Sequence, residues 1–127
     1  MEIHSAGVLV LQHGVVLAIL RRGTNLFGLP FGKIEEGEVP EQTALRECRE
    51  ETGLEVQLRD ISHPFVSLVN GRMAMTFLAI NESNFMGVGA SSRNEGIPCW
   101  ISPYELFGLK AEYPEYNERV LKSFGML

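Results

Sequence analysis

The 127 residues predict one α/β domain built on a mixed sheet. Three observations lead there. Several apolar runs have the length of strands, three segments carry helix-start signals, and the chain is long enough for one core but too short for two. Ala6 to Leu11 and Val15 to Leu20 are strand-like runs, and Gln12-His13-Gly14 between them reads as a tight hairpin. Val56 to Val69 should hold one or two strands broken near Pro64. Asn70-Gly71 is then a strong two-residue hairpin signal leading into Met73 to Ile80. Runs this uniformly apolar belong in a sheet covered on both faces, which calls for helices above and below it.

The first helix is expected from Pro40 to Thr52. Proline suits its first turn, Glu41 suits the dipole at that end, and Gly53 is a stop. A second, short helix should begin at Ser102-Pro103-Tyr104-Glu105, which fits a capping box. A third should start near Pro114 and run to about Phe124. Asn81 to Gly96, with Gly87, Gly89, Ser91 and Ser92, reads as a flexible loop before the last strand.

Charge and composition narrow the function. The formal net charge is −5 and lysine and arginine form no cluster, so a nucleic-acid polymer is not an expected partner. A small anionic substrate is compatible with this balance if a metal ion supplies positive charge. Met1-Glu2-Ile3-His4 lacks the basic start of a signal peptide, and the longest apolar runs are too short to span a bilayer. Cys48 and Cys99 show no paired spacing. The expectation is a cytoplasmic protein with two reduced thiols and no membrane partner. Oligomeric state is not legible from these features.

The segment Gly32 to Leu54 carries the chemistry. On a helical wheel Ala44, Leu45 and Cys48 share one side and should face the core. Glu47, Glu50 and Glu51 fall on another side at spacings of three and four, where like charges repel by a few tenths of a kcal/mol per pair. Hard oxygen donors grouped this way suit Mg²⁺ or Mn²⁺, which keep several waters and take substrate phosphates as further ligands. For an acidic helix alone, a solvated face balanced by Arg46 and Arg49 would be the simpler account.

The wider pattern decides between them. Gly32, Glu38, Arg46, Glu47, Glu50, Glu51, Gly53 and Leu54 stand at the spacings of the Nudix hydrolase signature, which the segment resembles. With residue frequencies of roughly 7%, seven fixed matches at one register arise by chance on the order of 10⁻⁸. Two positions depart from it. Cys48 stands where Ile, Leu or Val is usual, and a small buried hydrophobe serves there. Phe31, directly before the signature, stands where many members have glycine, often with its carbonyl on the metal. A site requiring positive φ would strain a phenylalanine.

The resemblance implies a Nudix-like α/β/α sandwich, a single domain over 1–127, and hydrolysis of a nucleoside diphosphate linked to another group. It implies Glu50 and Glu51 as metal ligands, Glu47 as ligand or general base, and Arg46 as the group that orients a carboxylate. Glu38 would bond near the loop–helix junction, Gly32 would let the backbone turn close to the metal, and Gly53 would cap the helix. Glu95, five residues before Trp100, is similar to a late acidic residue that serves as a further metal ligand or base. Trp100 to Leu106 resembles the family's closing strand and short helix, with Trp100 in the core.

Among branches, the MutT-type nucleoside triphosphate pyrophosphatases are the most similar. Arg21 and Arg22 resemble their basic pair and are candidates to hold phosphates. Asn117 resembles their base-reading asparagine, a carboxamide offering donor and acceptor to a purine edge. Phe27 or Phe31 could stack on a base. The expected substrate is a nucleoside triphosphate, such as the oxidised purine nucleotide 8-oxo-dGTP, cleaved to nucleoside monophosphate and pyrophosphate with Mg²⁺ or Mn²⁺. Alternatives are ADP-ribose, a dinucleoside polyphosphate, a nucleotide sugar, or a regulator that binds nucleotide without hydrolysis. His4, His13 and His63 form no motif.

Overall fold

Strands β1 (Ser5–Gln12) and β2 (Val15–Arg21) form the expected first hairpin. His13 and Gly14 at its tip have φ of 52° and 79°, the two left-handed residues that a twisted hairpin requires. The structure is a computed structural model that describes residues 2–81 and 95–127. Most of the loop expected between Asn81 and Gly96 therefore lies outside the described residues, including Gly87, Gly89, Ser91 and Ser92. Gly96 itself already belongs to a strand.

The chain next lays down two short strands, β3 (Phe27–Gly28) and β4 (Phe31–Lys33). At two and three residues they are too short to show a period in sequence. Helix α1 (Pro40–Thr52) follows with the expected bounds. Its start is held by Pro40 and by the Gln42 carboxamide oxygen, which accepts the Val39 N–H at 3.0 Å. Its end is Gly53, left-handed at φ 75°, with its N–H on the Arg49 carbonyl at 2.9 Å.

The expected strands between Val56 and Val69 are β5 (Gln57–Arg59) and β6 (Phe65–Val69). Asn70 and Gly71, at φ 51° and 77°, turn β6 into β7 (Arg72–Ile80). Strand β8 (Gly96–Ile101) completes the described strands. The second helical segment, Pro103–Phe107, is a 3₁₀ turn with Ser102 and Glu105 as its capping box. Helix α2 (Pro114–Ser123) ends one residue short of expectation.

The sheet is mixed. β1 and β7 run parallel, in register from Ser5↔Ala74 to Val10↔Ala79, while β5 and β6 pair antiparallel with β7. β2 pairs antiparallel with β1, β3 and β8, and β4 pairs antiparallel with β1. Alternation along β1 sends Val8 and Val10 to one core and Leu9 to the other. α1 closes the first core with Ala44 and Cys48; α2 closes the second with Tyr116, Val120 and Leu121. The covering on both faces is the reason β1 and β2 are apolar through their middles. Trp100 lies near the end of β8, opposite Leu17, and packs against the α1-side core. No described helix is long and apolar enough to cross a membrane.

One expectation for α1 needs correction. Leu45 is only half-buried, and the buried face is made by Thr43, Ala44, Glu47, Cys48, Glu51 and Thr52. Two of the three clustered acids therefore point inward. For Glu51 the reason lies in β4 and β2, whose Phe31 N–H and Arg21 guanidinium are partners that no wheel can display, while Glu47 is held by Arg46 beside it.

Candidate active site

Gly32 and Glu47 set the closest approach in the site. A Cβ placed on Gly32 would lie 2.1 Å from the Glu47 carboxyl carbon and 2.2 Å from its Oε1. Gly32 is not among the residues with positive φ, so its requirement is space rather than backbone freedom. Phe31 is not among them either, so its side chain imposes no left-handed strain.

Arg46 organises Glu38, Glu47 and Glu50. Its Nε and Nη2 donate to the two Glu38 oxygens at 2.7 and 3.0 Å, a two-pronged bond of the strong charge-assisted kind. Its Nη1 donates to Glu47 Oε1 at 2.8 Å and Glu50 Oε2 at 3.3 Å, and Nη2 also reaches the Lys33 carbonyl. One guanidinium thus spans three carboxylates. Glu38 also accepts from the Glu35 N–H and the Thr43 hydroxyl, which fastens the loop before α1 to the helix. The Arg46 hydrogen bond holds the Glu38 carboxyl down to about 2.

Glu51 sits on the inner side, fully buried. Its Oε1 accepts the Phe31 N–H at 2.9 Å, and its Oε2 accepts from Arg21 Nη1 at 2.5 Å. Burial pushes its pKa up to about 7 even with Arg21 beside it. Arg21 Nε donates to Glu112 Oε1 at 3.1 Å, Nη2 donates to the Leu29 carbonyl at 3.0 Å, and Glu95 Oε2 lies 4.0 Å from Nη1. Glu112 was not anticipated as a site residue, and the trace it could have left in the sequence is Gly28. A Cβ there would meet Glu112 Oε1 at 2.2 Å, and glycine within a strand marks such an approach.

Arg22 differs from Arg21 because successive strand residues face opposite ways. It is exposed, its N–H donates to the Glu95 carbonyl, and it does not line the cavity described next.

A cavity of about 510 Å³ opens beside the acids. Phe31, Gly32 and Lys33 form one wall, Arg21 and Leu29 lie on the inner side, and Tyr113, Tyr116 and Asn117 close the α2 side. His4, Asn70 and Arg72 stand at the hairpin side, where Arg72 Nη1 lies 3.0 Å from His4 Nε2. A guanidinium has no acceptor, so in this pair Arg72 donates and the imidazole nitrogen accepts. His4 and Arg72 escaped the sequence because residues 68 positions apart meet only through the parallel β1–β7 pairing.

Asn117 is almost wholly buried, and its Nδ2 donates at 2.7 Å to both the Leu106 and Glu112 carbonyls. Those two acceptors fix the amide orientation. Its nitrogen therefore serves the fold, and only the oxygen is left to read a ligand. Phe27 is placed differently from expectation. It does not line the cavity; its ring packs against the α2-side core while its backbone pairs with Lys110 and Glu112. Phe31 lines the cavity in its stead.

The donor set facing Gly32 consists of carboxylate and backbone oxygens, the chemistry that Mg²⁺ or Mn²⁺ takes. Among the described residues, no three acidic, histidine or cysteine side chains converge into a ready cage. Glu47 is turned to Arg46, and Glu51 to Arg21 and Phe31. This still fits a cation that uses one or two carboxylates and completes its shell with water and phosphate. A carboxylate has about four lone-pair sites, so Glu51 keeps some beyond its two bonds.

Known proteins share this arrangement of elements. A family model described as NUDIX domain matches residues 2–124. A MutT-like protein of Streptomyces ambofaciens is 32% identical over 107 residues, covering 84% of this chain and 68% of that protein. A protein described as putative mutator protein MutT4 of Mycobacterium tuberculosis is 62% identical over 34 residues, which cover 27% of this chain and 14% of its own length. Among solved structures, a NUDIX-family hydrolase from Clostridium perfringens superposes with a TM-score of 0.77 at 20% identity, covering 100% of this chain and 99% of that one. An Ap4A hydrolase of C. elegans gives 0.77 at 20% identity with 94% of each chain covered. A MutT protein from Methanosarcina mazei Go1 gives 0.70 at 22% identity, covering 97% and 95%. At these identities the structural likeness speaks for the fold.

Proposed function

Because the chain belongs to the Nudix hydrolase family, we propose that it cleaves a nucleoside triphosphate to the monophosphate and pyrophosphate with Mg²⁺ or Mn²⁺ bound. The observation that carries this reading is the junction at Phe31-Gly32. There a cavity large enough for a nucleoside is lined by Phe31 and Gly32, whose backbone meets Glu51 and Glu47 of α1.

Glu47, Glu50 and Glu51 would hold the metal, with Glu95 as a further donor at the edge of the site. When bound, the metal would neutralise phosphate oxygens and lower the pKa of the attacking water. The water oxygen bonds to phosphorus, the P–O–P bridge breaks, and pyrophosphate leaves with the bridging electron pair. A carboxylate, Glu47 or Glu50, takes the water proton. Arg46 keeps both in place by dividing its Nη1 between them. Arg21 faces the cavity from the inner side with N–H groups beyond those bonded to protein, and those groups suit a phosphate oxygen. The Asn117 oxygen would accept a bond from a donor on the base.

The test is a nucleotide panel, including 8-oxo-dGTP, dinucleoside polyphosphates, ADP-ribose and nucleotide sugars, with Mg²⁺ or Mn²⁺ and with chelator. Glu50→Gln and Glu51→Gln run alongside. Pyrophosphate release from triphosphates, abolished by chelator and lowered about 100-fold or more by either substitution, is the expected result. Absence of metal-dependent phosphate or pyrophosphate release from every nucleotide would defeat the reading, and preference for another class would replace the substrate.

A further inference from the structure

Phe31 stands out because its backbone and its ring serve two different parts of the molecule. Its N–H holds Glu51 Oε1 at 2.9 Å, and the next residue, Gly32, backs onto Glu47. Its ring, half-buried, lines the 510 Å³ cavity.

The ring also has a prepared seat. A Cβ on Gly7 would fall 2.1 Å from Phe31 Cδ2, so glycine on β1 is what admits the ring there. Tyr116 also meets the ring edge to face, with centroids 6.2 Å apart and planes at 84°. Tyr116 is itself held by its hydroxyl, 2.7 Å from Thr76 Oγ1. A ring held by two neighbours loses little entropy when a ligand packs on it, which is the physical basis of a preorganised contact. Near it, the Asn117 carboxamide has only its oxygen left for a ligand.

We propose that Phe31 is a specificity-determining residue, its ring the surface on which the heterocycle of the substrate packs. The proposal rests on the nucleotide reading above and deepens it, naming the residue that separates a base-bearing polyphosphate from a bare one. Because the Phe31 N–H also anchors Glu51, a base on this ring is registered against the acidic face of α1. The chain reaches this by seating phenylalanine, with a complementary Gly7, directly before the signature.

The test compares wild type with Phe31→Leu, which keeps most of the volume without the aromatic face, and Phe31→Tyr, which restores that face. Binding of dGMP and of inorganic tripolyphosphate is measured by calorimetry with Mg²⁺ present. KM and kcat are measured on a triphosphate that the wild type turns over. Base–aromatic stacking is worth enough to weaken dGMP binding about 5- to 150-fold in Phe31→Leu. KM should rise in parallel, with kcat and tripolyphosphate binding nearly unchanged, and Phe31→Tyr should bind dGMP as wild type does. Thermal melts separate a folding defect from this selective loss. Equal weakening of dGMP and tripolyphosphate, unchanged dGMP binding in Phe31→Leu, or no dGMP binding by wild type would each overturn the proposal. Selective loss of dGMP binding in a protein that turns over no nucleotide would sustain it while defeating the hydrolytic reading.

Discussion

Single atoms decide much of this site. At Gly32 one absent Cβ lets the Glu47 carboxyl approach the backbone of β4. The simplest added carbon would displace that carboxylate, since real Cβ contacts do not reach 2.1 Å. Displacement of a reacting group by about 1 Å costs on the order of 100-fold in rate. Gly32→Ala should therefore lower kcat/KM by about 100-fold in the nucleotide assay, with any fall in Tm reported separately by calorimetry. Activity equal to wild type would mean that Glu47 relaxes without consequence. The requirement for glycine was legible in the signature, but its reason was not. The sequence suggested backbone freedom, whereas the structure shows space for a carboxylate arriving from 15 positions further along.

Helix α1 was the most legible element, with its proline start and glycine stop in the expected places. Those signals are local, arising from backbone groups within one turn of each end. The half-exposed Leu45 and the buried Glu47 and Glu51 were not legible, because burial depends on what packs against the helix. The Glu38–Arg46 bond is the lacing between this helix and the loop before it. The carboxyl of Glu38, held down to about 2 against an ordinary 4.5, binds its proton less tightly in the folded chain than in the unfolded one. Its contribution to stability is thus full above about 4.5 and is lost as pH falls through about 2. In Glu38→Gln this acid-limb dependence should shrink. Urea unfolding followed between pH 6 and 2.5 checks it, and parallel pH curves for the two proteins would refute the lacing.

Across the whole molecule, Glu51 joins α1 to β4 through Phe31 and to β2 through Arg21, while Arg21 continues to Glu112 ahead of α2. Burial raises Glu51 to about 7, the opposite shift from Glu38, so the folded protein holds this proton more tightly than the unfolded chain does. The associated stability is full below about 4.5 and is lost as pH rises through about 7. Metal-free wild type should lose unfolding free energy between pH 5 and pH 7.5. Glu51→Gln, which removes the titrating proton and keeps an acceptor for only one of Phe31 and Arg21, should lack that part of the slope. Identical slopes in urea titrations across this range would show that Glu51 does not titrate there.

The sequence alone determined the family chemistry and the outline of the fold. Charges three and four residues apart meet on any helix, and two-residue turns and helix ends are set by nearby backbone geometry. A sheet covered on both faces followed from strands apolar on both faces. Tertiary structure alone decided which partner each charge has. Arg21 reaches Glu51 across 30 positions and Glu112 across 91, and Phe31 finds its seat on Gly7. It gave Phe31 rather than Phe27 to the cavity, and it committed the Asn117 nitrogen to the backbone. Such pairings depend on strand order and register, which place distant residues within a hydrogen bond of each other and leave no trace in local spacing.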